Sequence, residues 1–399
     1  MKIYRNRLVY VVSGVFSFIF YLIIVGLEMG RLSLLTKVMF KPLLDILGDE
    51  LMSVRNDYDP IAKTLVNKIV LALPSFGCEH YFKNGGCGMC GFNNEIERYG
   101  FRNLHPWAII FLVKLILTYF AYEKFKLKEK VNSLTIFMAG SFLNKNELPL
   151  VAQNIIFEVF RVSDIKKLII ESRPEYVISS QKRITDYHFD QYDKKLEIAI
   201  GLEAMDDVIR NSYINKNISL EVYRQAITAI KNSGAIAATY ILIGAPYLSR
   251  EEIIDSAVAT ARFAWQCGSD IVNLEAYSVQ ADTAWQNLYR QNKLAPPSLW
   301  TVAEVVKRID KISSVWYLGE FSDWPEPIAK PTSCPICQND FLKLLNRLRK
   351  EHDIKQLHNL PICSCKPNQP GGRLKIKKGG NENGSQEYYL QAGRVSRCG

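Results

Sequence analysis

The chain is 399 residues long, 48% apolar and 23% charged. This ordinary globular composition excludes a collagen, a wholly disordered chain and a multi-span membrane protein. A formal charge of +10 suits a polyanion such as RNA, or an anionic membrane face, without identifying either.

In chain order, the first feature is Leu8 to Leu27, uncharged and long enough to span a bilayer. Lys2, Arg5 and Arg7 precede it, as in a signal-anchor. Three readings stay open: an anchor with its N-terminus outside, a helix buried in the protein or an oligomer, and an upstream start that is never used. Met29, Met39 and Met52 are later candidate starts. The expected location is cytoplasmic, with membrane association through residues 8–27 as the variant. A second, mixed apolar stretch reaches Leu51, and residues 1–60 are taken as one apolar N-terminal region.

From residue 61 to 325 the pattern alternates. Apolar runs lie at 68–78, 134–140, 167–173, 196–203, 238–246 and 270–277. Longer helical stretches lie between them, at Trp107 to Phe125, Leu148 to Phe160, Ser219 to Asn232 and Arg250 to Gln266. Lys114 interrupts the first of these, which favours a core helix over a second span. Six strand–helix units predict an α/β fold with a parallel sheet, closed as a partial (β/α)6 TIM-like barrel. Active sites of such folds lie at the C-terminal ends of the strands. A small cysteine-rich module is expected over 326–366. The Gly-rich basic tail, 367–399, is expected to be disordered.

Nine cysteines, seven of them in two tight groups, do not suit a secreted disulfide scaffold. They read as metal ligands or redox thiols in a reducing compartment. Cys78, Cys87 and Cys90 form C-x8-C-x2-C, placed just after the first apolar run. Gly85, Gly86, Gly88 and Gly91 would let the backbone wrap a bulky inorganic centre. Three protein ligands on a four-iron cluster would leave one iron open to a small molecule. A structural zinc loop or a thioredoxin-like redox pair remains the bland alternative, although zinc asks for a fourth ligand and a redox pair needs no third.

This segment, LPSFGCEHYFKNGGCGMCGF (73–92), resembles the radical S-adenosylmethionine (radical SAM) enzymes. Its wide spacing resembles the group containing the elongator acetyltransferase's radical SAM domain and the archaeosine-forming enzymes. Further matches follow in the same order: FMAGSFLN (137–144), ESRPEYV (171–177), IGLEAMDDVIRNSYINKN (200–217), YILIGAPYLS (240–249), and NLEAYSVQADTAWQNLY (273–289) with PPSLW (296–300). The resemblance covers about 65–365.

The resemblance implies that Cys78, Cys87 and Cys90 hold a [4Fe-4S] cluster and that S-adenosylmethionine (SAM) chelates its open iron. One electron would cleave SAM to methionine and a 5′-deoxyadenosyl radical, which abstracts a hydrogen atom from the substrate. It also implies SAM contacts: Met89 and Gly244 to the adenine, Gly140 and Ser141 to the methionine amino group, Arg173 to the carboxylate, and Glu203 to an ammonium or ribose hydroxyl. An Arg173–Glu203 ion pair closing the barrel mouth is the structural alternative for those two. In the archaeosine branch, the implied substrate is a lysine-modified 7-deazaguanine in tRNA. The implied partners are a lysine-transferring, archaeosine synthase-type protein and an external electron donor. Two other functions stand beside this one: the same radical chemistry on a small molecule or lipid, and a non-catalytic zinc or thiol protein at a membrane.

The second group, Cys334, Cys337, Cys363 and Cys365, reads C-x2-C, 25 residues, then C-x-C. Two close pairs of thiolates satisfy a structural zinc or an auxiliary iron–sulfur cluster. Cys267 and the aromatics Trp285, Tyr289 and Trp300 read as packing.

Overall fold

A computed structural model of the chain describes residues 52–126, 130–321 and 326–367. The apolar segment 8–27, most of the tail and the candidate starts Met29 and Met39 lie outside the described residues. Among the described residues, no helix is long and apolar enough to cross a membrane.

Eight strands form one sheet in sequence order, nearly closed into a barrel. The six apolar runs become six consecutive parallel strands: β2 (Thr64–Leu73), β3 (Ser133–Met138), β4 (Lys167–Glu171), β5 (Lys195–Glu203), β6 (Ile236–Ile243) and β7 (Ile271–Ala276). Two more strands flank them. β1 (Met52–Asp59) pairs antiparallel with β2, and the short β8 (Trp316–Leu318) adds parallel to β7. The barrel therefore has eight strands where the sequence reading counted six.

Alternation along the strands decides what faces where. In β5, Leu196, Ile198, Ile200 and Leu202 pack into the main core. The intervening Glu197, Ala199, Gly201 and Glu203 line the barrel interior. β4 repeats this, with Leu168 and Ile170 in the core and Lys167, Ile169 and Glu171 facing inward. The dry core thus lies between barrel and helices, and the interior carries charged side chains among smaller and apolar ones.

The helices covering the sheet include α1 (Pro106–Lys126), α2 (Leu150–Val162), α3 (Pro174–Asp186), α4 (Leu220–Asn232), α5 (Arg250–Gln266) and α6 (Leu299–Asp310). Three of them, α4, α5 and α6, start on a serine side-chain cap. Ser219 accepts from the Val222 N–H, and Ser249 with Glu252 closes a capping box on α5. The bounds of α5 are those expected from periodicity.

Two edges, β1 and β8, are left without a shared ladder. Helix α7 (Gln338–Glu351) covers that seam. Its Phe341, Leu345 and Leu348 join the barrel's own core. Its Arg349 guanidinium is 2.9 Å from Asp57 of β1 and 2.8 Å from the Tyr317 hydroxyl of β8. It also donates to Glu320 at 2.8 Å, and Glu320 in turn accepts from Arg55 of β1. One buried cation therefore rivets both edges.

Candidate active site and metal centre

The loops after the strands' C-terminal ends meet over a cavity of about 1030 Å³ that continues down the barrel. Cys78, Cys87, Met89, Cys90, Gly140, Ser141, Arg173 and Glu203 all line it. Gly244, the remaining expected contact, is not part of the lining; a side chain there would strike the Tyr277 ring at 2.7 Å.

Each cysteine is placed by a local device. The Cys78 N–H donates to Asn93 Oδ1 at 2.8 Å, and Cys78 heads a one-and-a-half-turn helix, Glu79–Asn84. Cys87 and Cys90 bracket a tight turn closed by the Cys90 N–H on the Cys87 carbonyl at 3.0 Å. Gly88 within that turn lies flat against Trp285, leaving no room for a Cβ. The Gly88 N–H donates to Ile214 and its carbonyl accepts from Trp285, so the loop is stitched to two other parts of the chain. Asn215 adds two bonds from its amide, to the Asn84 and Gly86 carbonyls, at 2.9 and 2.7 Å.

Among the described residues, the triplet is not one of the sets whose ligand atoms all lie within 4.8 Å of one another. A single tetrahedral zinc needs sulfurs about 3.8 Å apart. The triplet is open by that measure, and it faces a large cavity, which suits a multi-atom centre better than a single ion. Burial, and then the Glu147 carboxylate, push the Cys78 thiol up to about 11. Burial, and then Cys87, push Cys90 up to about 12. Burial raises Cys87 too, against the pull of Lys216. The bare thiols are protonated at neutral pH, so a metal centre must displace protons to take them.

Gly140 and Ser141 sit on a carboxylate. Gly140 has φ +110°, and Glu147 occupies the space a side chain would need. Glu147 accepts the Ser141 N–H, and it accepts the Glu79 N–H at 2.9 Å. Arg173 does not pair with Glu203. Its Nε donates to Glu175 at 2.6 Å, and its two terminal nitrogens donate to the Lys216 and Asn217 carbonyls at 3.0 and 3.3 Å. Glu203 instead accepts from Lys216 Nζ at 2.8 Å, a pair buried on both sides.

Lys216 lies in INKN, and nothing in that stretch of sequence assigns it a role. Asn215 and Asn217 both take left-handed backbone, φ 59° and 53°, and so aim the residue between them inward. Glu171 was also missed. Its Oε1 accepts the Tyr240 hydroxyl at 2.6 Å, and burial pushes its carboxyl up to about 7.

The second cysteine group is compact. Cys334 Sγ is 3.6 Å from Cys337 and 3.3 Å from Cys363, and Cys337 Sγ is 3.4 Å from Cys365. All four are free thiols, and their spacing fits a single tetrahedral ion. The Trp300 indole N–H donates to Cys365 Sγ at 3.3 Å. Burial acts against ionising Cys365, but that bond and Cys334 overcome it, holding the thiol at about 6. Cys337, buried, is pushed up to about 12. The group could hold a metal ion.

No family model matches the chain. An uncharacterised protein of Methanocaldococcus jannaschii is 29% identical over 252 residues, 61% of this chain and 64% of that one. The chain therefore matches a little under two thirds of that relative's length. The archaeosine synthase subunit beta of Thermococcus kodakarensis is 27% identical over 322 residues, 76% of this chain and 92% of that one. Among solved structures, an N-terminally truncated Elp3 of Methanocaldococcus infernus aligns with TM-score 0.44 and 14% identity, over 65% of this chain and 60% of that one. The sequence relatives support the radical SAM superfamily as the family this chain resembles.

Proposed function

We propose that the chain is a radical SAM enzyme that acts on a modified 7-deazaguanine in tRNA. The observation that carries this reading is the convergence of eight expected contact residues, the cysteine triplet among them, on one cavity at the C-terminal mouth of the barrel. Support for the substrate comes from the match to an archaeosine synthase subunit beta and from the +10 charge, which suits a polyanion. The word "subunit" in that relative's name favours a second, lysine-transferring protein as partner.

Cys78, Cys87 and Cys90 would hold the [4Fe-4S] cluster, and SAM would bind beside it. The reduced cluster would supply one electron to bound SAM, breaking its S–C5′ bond to release methionine and a 5′-deoxyadenosyl radical able to abstract hydrogen. The chain's own residues bind, orient and shield. Gly140 and Ser141 present backbone toward the cavity, and Glu147 fixes that backbone from behind. Arg173 holds the 216–217 turn in place, and that turn places Lys216 on Glu203. Glu203 then presents its carboxylate at the cavity wall, held by Lys216 Nζ at 2.8 Å and suited to an ammonium or a ribose hydroxyl.

The test is anaerobic. The reconstituted, reduced full chain is given SAM and tRNA carrying the lysine-modified 7-deazaguanine. Formation of 5′-deoxyadenosine together with a formamidine base is expected. Absence of 5′-deoxyadenosine while the cluster is intact would overturn the proposal, and its formation without change to the tRNA would redirect it to another substrate.

A further inference from the structure

The cavity is acidic inside a basic chain. Eight Asp or Glu and five Lys or Arg line it, although the chain as a whole carries +10. Most of these acids have their own cation. Asp57 meets Lys68 at 2.7 Å, Lys167 bridges Asp59 and Glu197 at 2.9 and 2.5 Å, and Glu203 meets Lys216. Glu171 is different. It forms no ion pair among the described residues, and its carboxylate is held by a neutral donor, the Tyr240 hydroxyl.

The neighbourhood offers hydrogen-bond acceptors. Tyr240 spends its one proton on Glu171, so its oxygen is left as an acceptor. Glu275, on β7, lines the same interior. Thr135, only 3% exposed, faces inward from β3 between the core residues Leu134 and Ile136. Its Oγ1 has no hydrogen-bond partner. A buried hydroxyl without a partner costs free energy unless something else supplies one. Thr135 is paired in register with Ile169 of β4, one inward position below Glu171. Carboxylate, phenol oxygen and orphaned hydroxyl thus line one stretch of wall.

The geometry points to Glu171, oriented by Tyr240 and supported by Thr135, as the binding residue for an aliphatic ammonium group on the substrate. Lys216, whose charge also acts on Glu171, makes its hydrogen bond to Glu203 and forms no ion pair with Glu171. The inference rests on reading this cavity as the substrate chamber. It adds the class of substrate group taken and the residue that takes it.

The experiment uses the full chain, cluster-loaded and anaerobic, with two probes of equal shape: n-hexylammonium and n-hexanol. Saturation-transfer NMR reads binding of each without any turnover. The wild-type chain should bind the amine about tenfold more tightly than the alcohol, and Glu171→Gln should remove that preference while alcohol binding stays unchanged. Tyr240→Phe should give a smaller loss, and retained alcohol binding shows that either variant keeps its cavity. Equal binding of both probes, no amine binding at millimolar concentration, or a preference that survives Glu171→Gln would overturn the inference. A chain that cleaves SAM but ignores the amine sinks this inference alone. A chain that prefers the amine through Glu171 but never cleaves SAM sinks the functional proposal alone.

Discussion

The two cysteine groups solve opposite problems with the same atom. The quartet draws four sulfurs to 3.3–3.6 Å contacts, away from the barrel interior, a set that could fill every position of a small ion. The triplet spreads three sulfurs on loops over a cavity of about 1030 Å³ and leaves room beside them. The difference teaches that ligand count and spacing separate a site that holds structure together from one that can admit a second molecule. The quartet's place in the fold agrees. Cys337 caps α7, and α7 carries Arg349 into the seam between β1 and β8.

The comparison breaks most visibly at the triplet itself. Cys87→Ala should bring 5′-deoxyadenosine formation below detection while the quartet keeps its metal, read by metal analysis of the purified variant. If both metals are lost together, the two sites are not independent. At the quartet, Cys334→Ser should destabilise the fold by about 4 kcal/mol through loss of the metal, measured by denaturant unfolding. Arg349→Met should cost about 3 kcal/mol, because Asp57 stays buried with less countercharge. Combined with Cys334→Ser its effect should be less than additive, since both loosen α7. Strict additivity would mean that the quartet does not hold the seam.

The smallest effect is a pH dependence inside the barrel. The folded Glu171 carboxyl titrates at about 7, above its ordinary value of 4.5, because it is buried. The native state therefore holds that proton longer than the unfolded chain does. Stability from this group is present below pH 4.5 and is lost as pH rises through 7. Glu171→Gln has no such proton to lose. Relative to wild type it should gain about 2 kcal/mol between pH 5 and pH 8, read from unfolding midpoints. A flat difference would show that Glu171 is not buried as a free acid.

Much of the architecture was legible because six strands carry strong apolar runs and α5 has clear caps. β1 was not, since MSVRNDYD reads as polar and is held by pairing with β2 and by Arg349. β8 is three residues long, too short for any periodic signal. The quartet was legible from its spacing, whereas the triplet's spacing alone left a zinc loop and a redox pair open. The interior acids were hidden within runs that looked uniformly buried. In LEIAIGLE the large apolar residues alternate with Glu, Ala and Gly, and that period of two marks an apolar outer face and an inner face that carries the acids. The Glu203–Lys216 pair could not be read at all, because it depends on how a thirteen-residue separation folds back over the barrel.

The most direct measurement counts metal at the triplet alone. A chain with Cys334→Ser and Cys363→Ser is reconstituted without oxygen, and its iron, sulfide and zinc are assayed. The resonance of the reduced protein is then recorded before and after adding SAM. The account predicts about four irons with matching sulfide per chain, bound through Cys78, Cys87 and Cys90, and a signal that shifts when SAM is added. Zinc without sulfide at those three residues would contradict it.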